Sequence, residues 1–175
     1  MIKKTFLWIF TLIIIGVGVL FFLNGKDNYD SSKYSATATN GINVGSKIEF
    51  TLPDQFDNAH SLTSKTQKII FVFAKATGHT VKAFLKAQES DYLLKRDALF
   101  VADISPMPTV IRNTFALPDL KKSNYSVLLI YDKMIAKSFK NEDKADKIAI
   151  VTINNKEIKS VKYITTDKEL KEELN

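Results

Sequence analysis

Residues 69–104 read IIFVFAKATGHTVKAFLKAQESDYLLKRDALFVADI, and this stretch decides the fold. It begins with the apolar run Ile69–Phe73 and ends with a second apolar run, Leu99–Ile104, and each suits a strand buried on both faces. Between these runs, the apolar residues from Val81 to Leu85 recur at helical spacing. A strand, a helix and a strand in this order predict a βαβ unit, whose two strands pair in parallel through a right-handed crossover.

The segments around this unit predict further strands and a second helix. Ile48–Leu52 predicts a short strand before it, and Ser126–Tyr131 and Met134–Phe139 predict two strands after it. Pro108 suits the first turn of a helix. We expect that helix to stop before Pro118, because the residue preceding a proline disfavours the helical conformation.

The carboxyl-terminal residues predict a hairpin and a final helix. Ile148–Ile153 and Glu157–Ile164 flank Asn154-Asn155-Lys156, where asparagine tolerates the positive φ of a tight turn. Imperfect alternation in the last strand indicates a β-bulge or a strand covered on both faces. Thr166 and Glu169 have the spacing of a capping box. Parallel and antiparallel pairs together predict an α/β fold with a mixed central sheet and flanking helices.

An uncharged apolar segment, Phe6–Leu23, lies near the start of the chain. Its 18 residues would extend about 27 Å as a helix, close to the thickness of the hydrocarbon core of a bilayer. Lys3 and Lys4 lie before it, and positively charged flanks stay in the cytoplasm. The sequence therefore predicts a single-pass anchor in the cell inner membrane, with a cytoplasmic N-terminus and a periplasmic or otherwise extracytoplasmic C-terminal domain.

A cleaved signal peptide is the competing interpretation of this segment. Its apolar core would be long, because such cores run to about 7–15 residues. The small-residue triplet Ala36-Thr37-Ala38 lies well past Leu23, too far for a cleavage site. We favour a retained anchor over residues 1–23. Residues 24–43 are polar and predict a flexible linker, and residues 44–175 are enough for one domain with its own core.

The 175 residues contain no cysteine. For this stretch of chain, that excludes thiol nucleophiles, dithiol redox centres, iron–sulfur clusters, thiolate zinc sites and disulfides. The formal net charge is +6, from 25 Lys and Arg against 19 Asp and Glu, and the basic residues are spread along the chain. In the absence of a dense basic run, we expect no nucleic-acid partner.

Several motifs resemble those of thioredoxin-like proteins. Residues 44–57, followed by Ser61-Leu62, resemble the opening segment of peroxiredoxin-like and TlpA-like proteins, and Ile69–Phe73 matches the first core strand that comes next. Asp132–Phe139 resembles a later hairpin of that family, and residues 124–174 resemble the YtfJ-type periplasmic proteins. The resemblance implies a thioredoxin-like mixed central sheet with flanking helices.

The resemblance fails at the active centre. Gly78-His79-Thr80-Val81 occupies the position of the thioredoxin Cys-x-x-Cys, and a peroxiredoxin alignment places Thr80 at the reactive cysteine, three residues after Thr77. Tyr125-Ser126 stands where the family has a cis-proline. A threonine hydroxyl is a far poorer nucleophile than a thiolate and cannot cycle between oxidation states. The redox activity of these families is therefore not carried over.

Two groups of residues are candidates for other chemistry. In the turn from Thr77 to Thr80, His79 could act as a base and Thr80 as a weak nucleophile, but no acid partner is evident from spacing, and helix caps explain the threonines better. Asp103 ends a predicted parallel strand, where α/β ligand sites form, but capping of the following turn explains it at least as well.

A metal site is a further possibility that we do not favour. His60 and His79 with Asp54 and Asp57 match no known ligand spacing. The sequence thus predicts neither a metal nor another cofactor.

The sequence as a whole predicts a membrane-anchored, redox-inactive thioredoxin-like domain that binds a protein or peptide partner. Gly78, His79 and Tyr125 are the predicted binding residues. The alternatives are a thiol-independent enzyme that uses the Thr77–Thr80 turn, and a purely structural envelope protein.

Overall fold

The computed structural model describes residues 2–175 and the side chains from Phe6 onward. It has two β-sheets, flanking helices and one protruding apolar helix. The strands are β1 (Ser35–Ala38), β2 (Ile48–Pro53), β3 (Ala59–Ser61), β4 (Lys68–Val72), β5 (Ala98–Asp103), β6 (Leu128–Ile130), β7 (Ile148–Asn154) and β8 (Glu157–Ile164). The helices are α1 (Ile2–Asn24), α2 (Lys75–Lys86), α3 (Thr109–Ile111), α4 (Leu117–Leu120), α5 (Lys133–Phe139) and α6 (Asp167–Leu174). A π-helical turn, Arg112–Ala116, joins α3 to α4.

The central sheet has the strand order β6-β5-β4-β7-β8. β4 pairs in parallel with β5 and antiparallel with β7, and β6 is parallel to β5. The predicted βαβ unit and mixed sheet are therefore confirmed. Ile69, Ile70 and Phe71 are fully buried, as expected of a strand covered on both faces.

Two hydrophobic clusters cover the two faces of this sheet. On one face, α2 and α6 contribute Phe84, Leu85 and Leu170. On the other face, the antiparallel sheet β1-β2-β3 and α5 contribute Phe50 and Phe139, whose ring centroids lie 6.3 Å apart. Burial of apolar surface on both faces is the main force that holds the layers together.

The carboxyl-terminal predictions are confirmed in detail. Asn155 and Lys156 adopt φ values of 49° and 66°, as a two-residue hairpin turn requires, and the register shifts between Thr152 and Ile153. The Thr166 hydroxyl accepts a hydrogen bond from the backbone N–H of Glu169, which completes the capping box at the start of α6.

Two local predictions are wrong. Met134–Phe139 forms part of helix α5 rather than a strand, because the Asp132 carboxylate caps the helix by accepting a 2.6 Å hydrogen bond from the N–H of Met134. Pro118 does not end the preceding helix. It lies in the first turn of α4, directly after the π-helical turn, where a residue without an N–H is tolerated.

The predicted flexible linker, residues 24–43, is also wrong over much of its length. Ser35–Ala38 forms β1 and pairs antiparallel with β2, while Tyr34 and Ile42 are buried. The segment is locally polar, but strand pairing and two buried apolar side chains join it to the domain.

The protruding helix matches the predicted anchor. Phe6–Asn24 is long and apolar enough to cross a membrane, with a mean hydropathy of 2.8, and none of this stretch is buried against the domain.

Candidate functional site

The residues predicted to carry function lie where β4 ends and α2 begins. β4 ends at Val72, the extended residue Ala74 is the N-cap, and the helix starts at Lys75. The prediction that Thr77 or Thr80 is the N-cap is therefore wrong. Both threonines lie inside the first turns of the helix.

The two threonine hydroxyls bond to the helix itself. Thr77 Oγ1 donates to the carbonyl oxygen of Ala74 at 2.9 Å, and Thr80 Oγ1 donates to that of Ala76 at 3.3 Å. His79 is exposed, and its imidazole has no hydrogen bond or ion pair with the groups described from Phe6 onward. The structure thus brings Thr77, His79 and Thr80 into one turn, but among the described side chains no acid is hydrogen-bonded to the imidazole and no base is hydrogen-bonded to either hydroxyl.

Gly78 and Val81 occupy the positions at which the thioredoxin-like resemblance placed the two cysteines. Val81 is fully buried in the core under α2, while Gly78 is partly exposed. A Cβ atom at Gly78 would have Val72 Cγ2 as its nearest neighbour, at 3.9 Å, an ordinary van der Waals distance. Gly78 also lacks a positive φ. The fold therefore gives no reason for a glycine there, although glycine inside a helix costs about 0.5–1 kcal/mol relative to alanine.

Asp103 lies at the same end of the sheet, at the end of β5. Its carboxylate accepts a 2.9 Å hydrogen bond from the N–H of Ser105, which agrees with the predicted cap of the following turn. Burial raises the pKa of Asp103 above its usual 3.8, against the opposing effects of Ser105 and the charge of Lys140.

Tyr125 lies away from Gly78 and His79, the other two predicted binding residues. Its ring packs on Phe100, with centroids 6.2 Å apart, and its neighbour Asn124 donates to the carbonyl oxygen of Gln88, beyond the far end of α2. Gln88 follows His79 by nine residues, a helical rise of about 13 Å. The backbone before β6 therefore lies near the opposite end of α2, because β6 joins the edge of the sheet in parallel with β5.

The two best-formed depressions on the surface lie away from these side chains. One, of about 440 Å³, is lined by Gln67, Asp97 and Asn154 at the opposite end of the central strands. The other, of about 410 Å³, lies between Phe84 of α2 and Lys171 of α6. Neither is lined by Thr77, His79 or Asp103.

The predicted histidine–aspartate grouping is divided among structural roles. His60 Nε2 lies 3.0 Å from Asp54 Oδ2, and the Asp54 carboxylate also accepts from the N–H groups of Phe56 and Asn58 in the β2–β3 turn. Asp57 accepts a 2.8 Å hydrogen bond from the Tyr34 hydroxyl. Among the side chains described from Phe6 onward, no group of three His, Asp or Glu residues is arranged to hold a metal ion.

Sequence reasoning missed a set of contacts at the end of α1, here called the tether cluster: Asp27, Tyr29, Tyr34, Arg112 and Tyr131. Tyr29 stacks between Tyr34 and Tyr131, at centroid distances of 5.6 and 4.7 Å, and the Arg112 guanidinium lies 4.7 Å from the Tyr131 ring centroid. Arg112 Nη2 lies 2.7 Å from Asp27 Oδ1. No sequence signal pairs residues so far apart along the chain.

The protonation states in the tether cluster favour its ion pair and its cation–π contact. Burial would raise the pKa of Asp27, but hydrogen bonds from Arg112 and from the N–H of Tyr29 outweigh it and lower that pKa below 3.8. Burial raises the pKa of Tyr131 to about 12. Asp27 is therefore ionised and Tyr131 neutral at pH 7, which suits an ion pair beside a cation–π contact.

Comparison with solved structures identifies the fold. A proposed protein disulfide isomerase from Bacteroides thetaiotaomicron matches with a TM-score of 0.50 and 14% identity, over 80% of this chain and 89% of that one. StoA from Bacillus subtilis matches with a TM-score of 0.51 and 17% identity, over 73% and 96%. A thioredoxin-like protein from Porphyromonas gingivalis matches with a TM-score of 0.47 and 16% identity, over 71% and 86%. No protein-family model and no curated protein matches the sequence.

The chain therefore has a thioredoxin-like fold. Within that class it is a cysteine-free protein that carries an apolar helix able to span a membrane.

Proposed function

We propose that this chain is an inner-membrane protein whose thioredoxin-like domain lies on the extracytoplasmic side and binds a protein or peptide partner without redox chemistry. The observation that carries the binding role is Gly78, a partly exposed helical glycine that nothing inside the fold requires. Glycine allows another backbone to approach closely, and that explains the residue if the approaching chain belongs to a partner.

Membrane anchoring is supported by the exposed, uncharged face of α1. The apolar side chains from Phe6 to Leu23 are all exposed, and exposed apolar surface of this size in water would be strongly unfavourable. Lys3 and Lys4 before the span favour a cytoplasmic N-terminus.

The absence of redox chemistry is supported by the side chains at the thiol positions. Neither the hydrogen of Gly78 nor the isopropyl group of Val81 can form a mixed disulfide, which thiol–disulfide exchange requires. The threonine hydroxyls of the same turn are engaged by helix carbonyls, and this arrangement favours binding over nucleophilic catalysis.

Site-specific photo-crosslinking in native membranes tests the binding surface. A photoreactive amino acid replaces His79 in the full chain, and a matched probe replaces Lys86, the exposed last residue of α2. We expect a discrete protein adduct at position 79 and none at position 86. The added variant Gly78→Gln is expected to lower the yield at position 79 several-fold, because its side chain blocks close approach.

Thermal unfolding of Gly78→Gln is the control for folding. An unchanged or raised midpoint, together with lost crosslinking, supports binding at this turn. Equal adducts at positions 79 and 86, or a yield that Gly78→Gln leaves unchanged, contradicts the proposed surface.

A further inference from the structure

Two large apolar side chains are exposed beside the end of α1. Ile111 is 47% and Phe115 is 62% exposed, and they lie four residues apart across the end of α3 and the π-helical turn. Residues four apart lie on the same side of a helix, so the two side chains form one apolar patch.

This patch lies close to the last residue of the apolar helix. Asn113, between the two apolar residues, donates from Nδ2 to the carbonyl oxygens of Asn24 at 2.9 Å and Lys26 at 3.0 Å. A helix with its side chains is about 10–12 Å wide, so Ile111 and Phe115 lie roughly one helix width from Asn24. The headgroup layer that borders a hydrocarbon core is about 5–8 Å deep, so these large side chains need to extend only a few ångström towards the bilayer to enter it.

The tether cluster holds the patch in this place. A flexible linker of about 20 residues would let the domain move roughly 25 Å from the end of the span. Asp27 and Tyr29 instead bind Arg112 and Tyr131, within a few residues of the end of α1. The domain is thus fixed to the anchor through the same helical segment that carries the apolar patch.

We infer that Ile111 and Phe115 lie in the headgroup layer of the membrane that α1 crosses, so the partner of this patch is the lipid bilayer. The inference rests on the proposed membrane anchoring. Aromatic and aliphatic side chains bind at the interface by burying apolar surface among headgroups and upper acyl chains. The contact would fix the orientation of the domain and bring the start of α2 close to the membrane, because that end of the sheet also carries Tyr131.

Spin labels on the full chain test this placement directly, since no native cysteine has to be removed. Phe115→Cys and, independently, Ile111→Cys carry a nitroxide, and Leu94→Cys is the matched control. Leu94 is 78% exposed and lies before β5, at the opposite end of that strand from the segment that contacts α1. The protein is reconstituted at one copy per phosphatidylcholine–phosphatidylglycerol nanodisc, which excludes contact with a second copy. Collision rates with oxygen, which concentrates in lipid, and with a water-soluble nickel chelate then report depth.

We expect the oxygen-to-nickel ratio at positions 115 and 111 to exceed that at position 94 by roughly twofold or more. Trp8, the only tryptophan and a residue of the apolar helix, reports anchoring separately through quenching by brominated lipids. Quenched Trp8 with equal ratios at all three labels overturns the inference while the anchor stands. Unquenched Trp8 overturns the anchor and this inference with it. A higher ratio at positions 115 and 111 than at position 94, together with quenched Trp8, supports both the anchor and the inference.

Discussion

Arg112 and Asp27 form an ion pair in which the guanidinium is only 4% exposed while the carboxylate is half-exposed, with 2.7 Å between Nη2 and Oδ1. The pair joins the residues just after α1 to the helical segment between β5 and β6. An arginine so deeply buried depends on its partner, because a charge left unpaired in the interior is strongly unfavourable.

Asp27→Asn is expected to lower the free energy of unfolding by about 1–2 kcal/mol, since it leaves the Arg112 guanidinium without an anion, and solvent screening at Asp27 limits the loss. Urea unfolding of the full chain in detergent, followed by far-UV circular dichroism, measures the change. Asp146→Asn removes a negative charge at an exposed position and should leave the unfolding curve unchanged. Equal effects of the two substitutions would show that the Asp27–Arg112 ion pair does not hold the segment after α1 to the domain.

Asp54 is expected to make stability fall at acid pH. Burial would raise its pKa, but hydrogen bonds from Asn58, His60 and Phe56 outweigh it, so the folded-state pKa lies below 3.8. The stabilisation is then complete above pH 3.8 and is lost as the pH falls through the lowered folded-state value. Unfolding midpoints measured across acid pH should slope less steeply in Asp54→Asn than in the parent, and Asp146→Asn, at an exposed position, is the control.

Asp103 should have the opposite pH dependence. Its folded-state pKa is raised by burial, so the carboxyl group favours folding least once it is ionised in both states. Asp103→Asn keeps an oxygen for the N–H of Ser105 and should raise the thermal midpoint at pH 7. The difference from the parent should shrink as the pH falls towards 3.8, the ordinary value. A lower midpoint at pH 7 would contradict this account, and Asp146→Asn, at an exposed position, is the control.

Gly78→Ala is expected to stabilise the domain by about 0.5–1 kcal/mol, because the added methyl group meets only Val72 at an ordinary contact distance. Gly45→Ala is the contrasting control. Gly45 has φ +84°, a conformation that an L side chain rarely adopts, so this substitution should destabilise. Thermal unfolding of both variants checks the signs, and destabilisation by Gly78→Ala would mean that the fold itself requires the glycine.

The orientation in the membrane can be tested by labelling unique cysteines. A membrane-impermeant maleimide should label Leu94→Cys in cells with a permeabilised outer envelope and an intact inner membrane, if the domain is extracytoplasmic. Ile2→Cys should react only after the inner membrane is disrupted. The reverse pattern would place the domain in the cytoplasm.

The sequence predicts those parts of the fold whose signals are local. The apolar run Ile69–Phe73, the turn at Asn155-Lys156 and the capping box at Thr166 each appear in the structure as expected. Met134–Phe139 was misassigned because a short apolar run suits a strand and a helix equally well, and the cap at Asp132 decides between them.

Features that depend on distant contacts could not be predicted. Ser35–Ala38 alternates small polar and small apolar side chains, but four small residues are a weak strand signal, and the segment becomes a strand because β2 offers a partner edge. The positions of the candidate residues follow from the sequence only in part. The sequence places Gly78 near the start of α2, where the structure has it, but it does not place Tyr125, because the position of β6 at the sheet edge depends on pairing with the distant β5.

The short junction after α1 has a consequence for how this protein meets other molecules. Gly25–Asp30 alone separate α1 from the next helical turn, and Asp27 and Tyr29 within them are bound to the domain. In a bilayer, a domain held this way stays close to the membrane surface and moves laterally with its helix. Its encounters would then be confined to two dimensions, and lateral diffusion would govern how often it finds a target that shares the same membrane.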